Sequence, residues 1–328
     1  MNRFEMKLAR MREGNDTRKD FILADAKDAD TAGGLTSMGR RLGVLPAGVS
    51  AFRSRAEFLD DIRRIIKQDV VDIVLGSASN IEALLKEDAF AQSGIQHAVR
   101  MNDTSDLWRV RGATFGAQPS VPFRSASLKR VQAPIGLYSL TFNGEADHDA
   151  QLLERFAAFR EEAIERGFTY FLEVFNPIEG KISPSDYGSF LNDMITRLLA
   201  GLCQIEQPAF LKIAFNGGGA ISELAQFDPA TIIGIMGGGS GTSRDCFELL
   251  HQAQKHGARA ALFGRKIVDA EEPVSFIGVM RKLLDGVYGP VEAVHDYHDA
   301  LERANLSPIR NREADLTVTE ELLRPEAA

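Results

Sequence analysis

Residues 210–219 read Phe-Leu-Lys-Ile-Ala-Phe-Asn-Gly-Gly-Gly, a short apolar run with one lysine at its centre and glycines where it stops. With the two-residue period of a strand, Leu211, Ile213 and Phe215 share one face, while Phe210, Lys212, Ala214 and Asn216 share the other. In a parallel sheet covered by helices the wholly apolar face packs on the helices, which leaves Lys212 in whatever space the sheet encloses. An ammonium there costs several kcal/mol unless it is paired or neutral. A desolvated lysine loses basicity and becomes a nucleophilic amine. The same side chain could instead only pair with a neighbouring carboxylate.

Outward from this stretch, short apolar or β-branched runs alternate with longer amphipathic segments. Strands are expected at 21–27, 71–77, 95–102, 135–143, 169–176, 210–216, 232–237 and 258–264. Between them lie helical patterns such as RAEFLDDIRRIIKQ and SRDCFELLHQAQKHG, several closed by a glycine suited to a helix C-cap. This alternation of strand and helix fits a closed (β/α)8 TIM barrel over residues 1–290. No early G-x-G-x-x-G follows the first strand, which argues against a dinucleotide-binding sheet. Residues 104–131 interrupt the rhythm and read as a long connection over the site or toward a partner. Residues 291–328 form a helix and charged tail packed on or beside the barrel.

Composition bounds the rest. A chain of 328 residues with 44% hydrophobic and 26% charged content is that of an ordinary globular protein. Its net charge of −8 argues against a nucleic-acid or anionic-membrane partner. Cys203 and Cys246 form no C-x-x-C pair, and the six histidines lack the carboxylate or cysteine neighbours of a metal site, so no metal is expected. The N-terminus has no signal-peptide core and no run reaches membrane-spanning length, so a cytoplasmic protein is expected.

In a barrel, active sites lie at the C-terminal ends of the strands. Glu173, on the strand before Lys212, shares its parity with Phe171 and Phe175 and is expected inside, where a carboxylate can shuttle protons for an amine. Asp25 and Lys27 share a face of the first strand and could supply a base and a second amine, or a salt-bridged rim. Arg100 and Asn102 end the third strand and could hold substrate oxygens or tie down carboxylates. The seventh strand runs into Gly238, Gly239 and Ser240, and the eighth into Gly264 and Arg265. Glycine turns at these two strand ends suit an anion such as phosphate. Tyr138, Thr141 and Asn143 complete the fourth strand.

Three stretches carry a resemblance to a known family: Phe171-Leu-Glu-Val, Phe210-Leu-Lys-Ile, and Met236-Gly-Gly-Gly-Ser with Phe263-Gly-Arg-Lys. They resemble segments of the class I aldolases with a (β/α)8 barrel, which include tagatose-bisphosphate and archaeal-type fructose-bisphosphate aldolases. The resemblance implies that Lys212 forms a Schiff base, Glu173 handles its protons, and Gly238, Gly239, Gly264 and Arg265 grip a phosphate. Asp25 falls where the family often has a strand-one aspartate. Two departures stand out: the first turn reads Asp-Ala-Lys-Asp-Ala-Asp, and strand four has no lysine.

The sequence therefore points to cleavage or formation of a C–C bond in a hydroxylated keto compound, most simply a sugar or sugar phosphate. Tyr138 or Asp25 would take a hydroxyl proton, and the iminium would serve as electron sink without a cofactor. The alternatives are an isomerase or lyase using Lys212 without a covalent intermediate, and a non-catalytic barrel that binds a sugar phosphate. The family implies a homo-oligomer.

Overall fold

A computed structural model describes residues 2–41, 43, 45–108, 110–237 and 241–324. Ten strands are described: β1 Ile22–Lys27, β2 Ile73–Gly76, β3 Gln96–Arg100, β4 Asn102–Thr104, β5 Pro122–Arg124, β6 Ile135–Thr141, β7 Thr169–Phe175, β8 Leu211–Ile213, β9 Ile233–Met236 and β10 Ala260–Phe263. Eight of them close a parallel barrel in the order β1-β10-β9-β8-β7-β6-β3-β2, and each expected strand coincides with one of these. The other two pair antiparallel, β4 at the end of the expected third strand and β5 within the connection that the sequence showed only as an interruption.

The helices follow in chain order: α1 Arg3–Arg12, α2 Asp30–Gly33, α3 Arg55–Gln68, α4 Ala78–Lys86, α5 Ala146–Glu165, α6 Tyr187–Ala200, α7 Gly218–Phe227, α8 Ser243–Lys255, α9 Arg265–Val268, α10 Pro273–Leu284, α11 Pro290–Arg303 and α12 Arg312–Asp315. Among the described residues no helix is long and apolar enough to cross a membrane.

Two buried clusters divide the strand faces. Ile22, Ala24 and Ala26 join Leu75, Ala98, Leu137, Phe171, Phe210 and Leu262 in one that fills the barrel. Residues of the opposite parity, including Leu23, Val74, Tyr138, Leu172 and Leu211, pack with the helices in the other. Small residues on β1 leave room for the stacked rings of Phe171 and Phe210, 4.5 Å apart.

Helix α1 closes the N-terminal mouth of the barrel, with Phe4, Leu8 and Met11 buried in the interior cluster. Its start is set by a capping box between Asn2 and Glu5, and Arg10 and Arg12 suit its negative end. Charge fastens this plug. Asp72, fully buried ahead of β2, meets Arg3 at 3.0 Å, Lys7 at 2.9 Å and Arg281 of α10 at 2.7 Å. It also accepts the β1 amide of Leu23 at 2.8 Å. Burial lowers the Lys7 pKa, an effect that Asp72 opposes.

The C-terminal segment is tied to α8. Tyr297 of α11 packs edge-on against Phe276 at 4.9 Å. Asp315 accepts the amide of Ser243 at 2.7 Å and pairs with buried His298 at 3.0 Å. Asp245 accepts the amides of Thr319 and Glu320.

Replacing Asp72 by Asn leaves buried Lys7 without a carboxylate and loosens Arg3 and Arg281, which keep Asp69 and Asp285, so Asp72→Asn is expected to lower unfolding stability by about 3–5 kcal/mol. Urea denaturation followed by circular dichroism measures it; a change within experimental error would show that the plug is held by its apolar face alone.

Candidate active site

The strand register places Ser139, Glu173, Lys212 and Gly234 at one level of the barrel wall. Lys212 and Glu173 both point inward, as the periodicity predicts, because Leu211, Leu172 and their neighbours fill the helix-facing side. Lys212 Nζ lies 2.5 Å from Glu173 Oε1, with both side chains under 10% exposed. Ser139 donates its hydroxyl to the other carboxylate oxygen, Oε2, at 2.6 Å. At such distances a proton can pass between amine and carboxylate without a rearrangement of either.

A second cation shares the carboxylate. Arg100 Nη1 stands 3.6 Å from Glu173 Oε2 and 2.9 Å from Asp28 Oδ2, and its Nε is 3.1 Å from Asp103. Burial works to lower the Arg100 pKa, but Asp28, Glu173 and Asp103 outweigh it and raise it above its ordinary value. Burial raises the Asp103 pKa, with Arg100 opposing. The guanidinium is thus a fixed charge, with Nη2 left without a hydrogen-bond partner.

These groups open onto a cavity of about 670 Å³ at the C-terminal end of the strands. Its walls include Ala26, Asp28, Arg100, Glu173, Phe175, Lys212, Met236, Gly264 and Arg265. The long connection covers one side. Phe115 from it stacks on Phe175 with ring centroids 3.9 Å apart, and the Gly116 carbonyl accepts the amide of Glu179 at 2.8 Å.

Not every expected residue reaches this cavity. Asp25 and Lys27 point the other way, toward the helices. Asp25 is level with Val74 and Phe263, both on the helix-facing side, and Lys27 Nζ lies 6.0 Å from the Phe58 ring of α3. They form a buried pair at 3.3 Å, and burial pushes the Asp25 pKa up to about 6 against the pull of Lys27. Asp28, one step further along the inward parity of Ala24 and Ala26, is the first-strand carboxylate that lines the cavity.

Tyr138 is likewise outside the barrel, stacked on Phe159 at 4.4 Å, and its neighbour Ser139 holds the inward position. Asn102 is buried, but both ends of its amide are spent: Oδ1 accepts the Ser139 amide and Nδ2 donates to the Ser139 carbonyl, each at 2.7 Å. It replaces the backbone partner that β6 loses where the chain turns off into β4.

Gly264 and Arg265 line the cavity beside β1, where a Cβ on Gly264 would lie 2.7 Å from the Ala26 carbonyl oxygen. The expected anion contacts of Gly238, Gly239 and Ser240 lie outside the described residues. The adjoining start of α8 is occupied by the chain itself, since Asp315 takes the Ser243 amide and Asp245 accepts from Thr242.

Of the polar residues around this cavity, Asp28 stands in the sequence only as part of the first turn, while Ser139, Asn176, Glu179, Tyr187 and Asp269 carry no expectation. The rule applied to residues 210–216 would not have found Asp28: Ile22, Ala24 and Ala26 form the wholly apolar face of the first strand, yet they fill the barrel, while Phe21 and Leu23 pack with the helices.

No family model and no curated protein matches this chain. Solved structures do. An archaeal fructose 1,6-bisphosphate aldolase superposes with a TM-score of 0.61 at 14% identity, covering 86% of this chain and 99% of that one. A Schiff-base-forming fructose-1,6-bisphosphate aldolase gives 0.60 at 16% identity over 87% and 100% of the chains. The fructose-bisphosphate aldolase of Slackia heliotrinireducens gives 0.63 at 14% identity over 91% and 90%. At this identity the likeness is one of fold.

The position of Asp25 and Lys27 can be tested through pH. Because the folded-state pKa of Asp25 is raised from 3.8 to about 6, the native state holds the proton more tightly than the unfolded chain. Its contribution to stability is therefore lost as pH rises through that window. In Asp25→Asn/Lys27→Met this fall should vanish, stability at pH 8 should match or exceed wild type by about 1–4 kcal/mol, and turnover should be unaltered. Denaturation at several pH values checks the first two expectations, and a large loss of turnover would return the pair to the active site.

Proposed function

We propose that the protein is a class I aldolase acting on a hydroxylated keto compound. The observation that carries this reading is the 2.5 Å contact between Lys212 and Glu173 on the inner face of a barrel cavity. Two of the fold's neighbours are named as fructose 1,6-bisphosphate aldolases and one of these as Schiff-base-forming, which agrees with the same chemistry.

In the cleavage direction, Lys212 passes a proton to Glu173 and its free amine adds to the substrate ketone. Glu173 returns the proton to the carbinolamine oxygen, which leaves as water, and the iminium forms. The iminium draws the electron pair of the neighbouring C–C bond as a base removes the hydroxyl proton beyond it. Asp28 is the cavity-facing carboxylate for that step, held by Arg100 at 2.9 Å. An aldehyde departs, the enamine left behind is protonated at carbon, and water releases the ketone and restores Lys212. Every electron is accommodated by the iminium, so the sequence of steps calls for no further cofactor. Ser139 steadies Glu173, and an anionic end of the substrate is received by Gly264 and Arg265.

Incubation with dihydroxyacetone phosphate and borohydride, followed by peptide mass mapping, should place a reduced adduct on Lys212. An adduct on another lysine, or none, would remove the covalent mechanism. Glu173→Gln should lower kcat by about 10²–10⁴ in protein that circular dichroism shows to be folded. Full turnover in Lys212→Arg would instead favour an isomerase or lyase without a covalent intermediate.

A further inference from the structure

The cavity has more than one kind of wall. Its described lining carries three cations, Arg100, Lys212 and Arg265, against four carboxylates. Two of the cations are already committed. Arg100 is shared among Asp28, Asp103 and Glu173, and Lys212 is paired with Glu173. Arg265, at the β10 end, is the cation of this lining with no ion pair to a carboxylate within 4 Å among the described residues. One anionic group can be met there. A second, toward Phe115 and Phe175, would meet Glu179 and, among the described residues, no cation free of a carboxylate partner.

The lining toward β7 carries an aromatic wall among polar groups. Phe175 lies two residues beyond Glu173 on the same inward face of β7, hence one layer nearer the mouth. Phe115 stacks on it with planes 19° apart, and Leu107 and Pro177 extend the same wall. Aromatic faces of this kind take flat or apolar groups and give little to a hydrated anion.

We propose that the substrate carries at most one anionic group, seated toward Arg265, and an uncharged apolar or aromatic group at its other end, against Phe115 and Phe175. This rests on the aldolase reading above and narrows it. In the condensing direction the ketone donor occupies Lys212 with its anion toward Arg265, and the acceptor aldehyde brings the apolar group. The acceptor carbonyl carbon bonds to the enamine carbon, its oxygen takes a proton and becomes the new hydroxyl, and water then hydrolyses the iminium. No oxidant or reductant enters.

The test begins with borohydride trapping of dihydroxyacetone phosphate on Lys212. No adduct sinks the aldolase reading, and this inference with it. With the adduct present, kcat/KM is measured for addition of the same donor to phenylacetaldehyde, glyceraldehyde and glyceraldehyde 3-phosphate. Phenylacetaldehyde should lead glyceraldehyde 3-phosphate by at least about tenfold, and Phe115→Ala should erase that lead by raising KM for phenylacetaldehyde. Either glyceraldehyde compound ahead of phenylacetaldehyde overturns the inference while leaving the imine chemistry in place. Should no aldehyde turn over, protection of Lys212 from trapping decides: 2-phenylethanol protecting better than glycerol 3-phosphate supports the apolar wall, and the reverse order overturns it.

Discussion

The arrangement depends on one carboxylate shared by two cations inside the barrel. Glu173 holds Lys212 through one oxygen and receives Ser139 and the edge of Arg100 at the other. A buried ammonium or guanidinium is tolerated only where such partners replace the water it has lost. Once Glu173 is in place, the inward parity of β7 and β8 is settled together, because neither charge could face the helices without stranding the other. Arg100 extends the same logic across the cavity to Asp28 and Asp103, linking strands on both sides of it.

The other end of the barrel uses the same physics for a different purpose. Asp72, itself fully buried, gathers Arg3, Lys7 and Arg281, yet is absent from the lining of the described cavity and serves to hold α1 in the barrel mouth. Asp25 and Lys27 form a third buried pair, also away from the cavity. Burial of opposite charges alone therefore does not mark a reactive site in this molecule. What distinguishes Lys212 and Glu173 is that their charges border a space large enough for a substrate.

The C-terminal segment is anchored to the start of α8. Asp315 and Asp245 occupy N-terminal amides at the start of α8 and tie residues 315–320 to that helix. A helix start that would suit an anion is thereby satisfied from within the chain. Among the described residues at this end of the barrel, Gly264 and Arg265 line the cavity.

Much of the architecture was open to reading before any coordinates. Apolar runs alternating with amphipathic segments gave eight strands, and strand period placed Lys212 and Glu173 on inner faces because each sits opposite an uninterrupted apolar face. The first strand lacks that contrast: polar residues occur at both parities near its end, and period two separates two faces without saying which is inside. Only closure of the barrel decides, since Phe21 and Leu23 must meet helices and Ala24 and Ala26 must make room for the rings of β7 and β8. The roles of α1, of the β4–β5 hairpin and of Asn102 were equally hidden, as each depends on contacts between residues distant in the chain. Local pattern is written in neighbouring residues; which carboxylate faces the lysine is decided by the packing of the whole barrel.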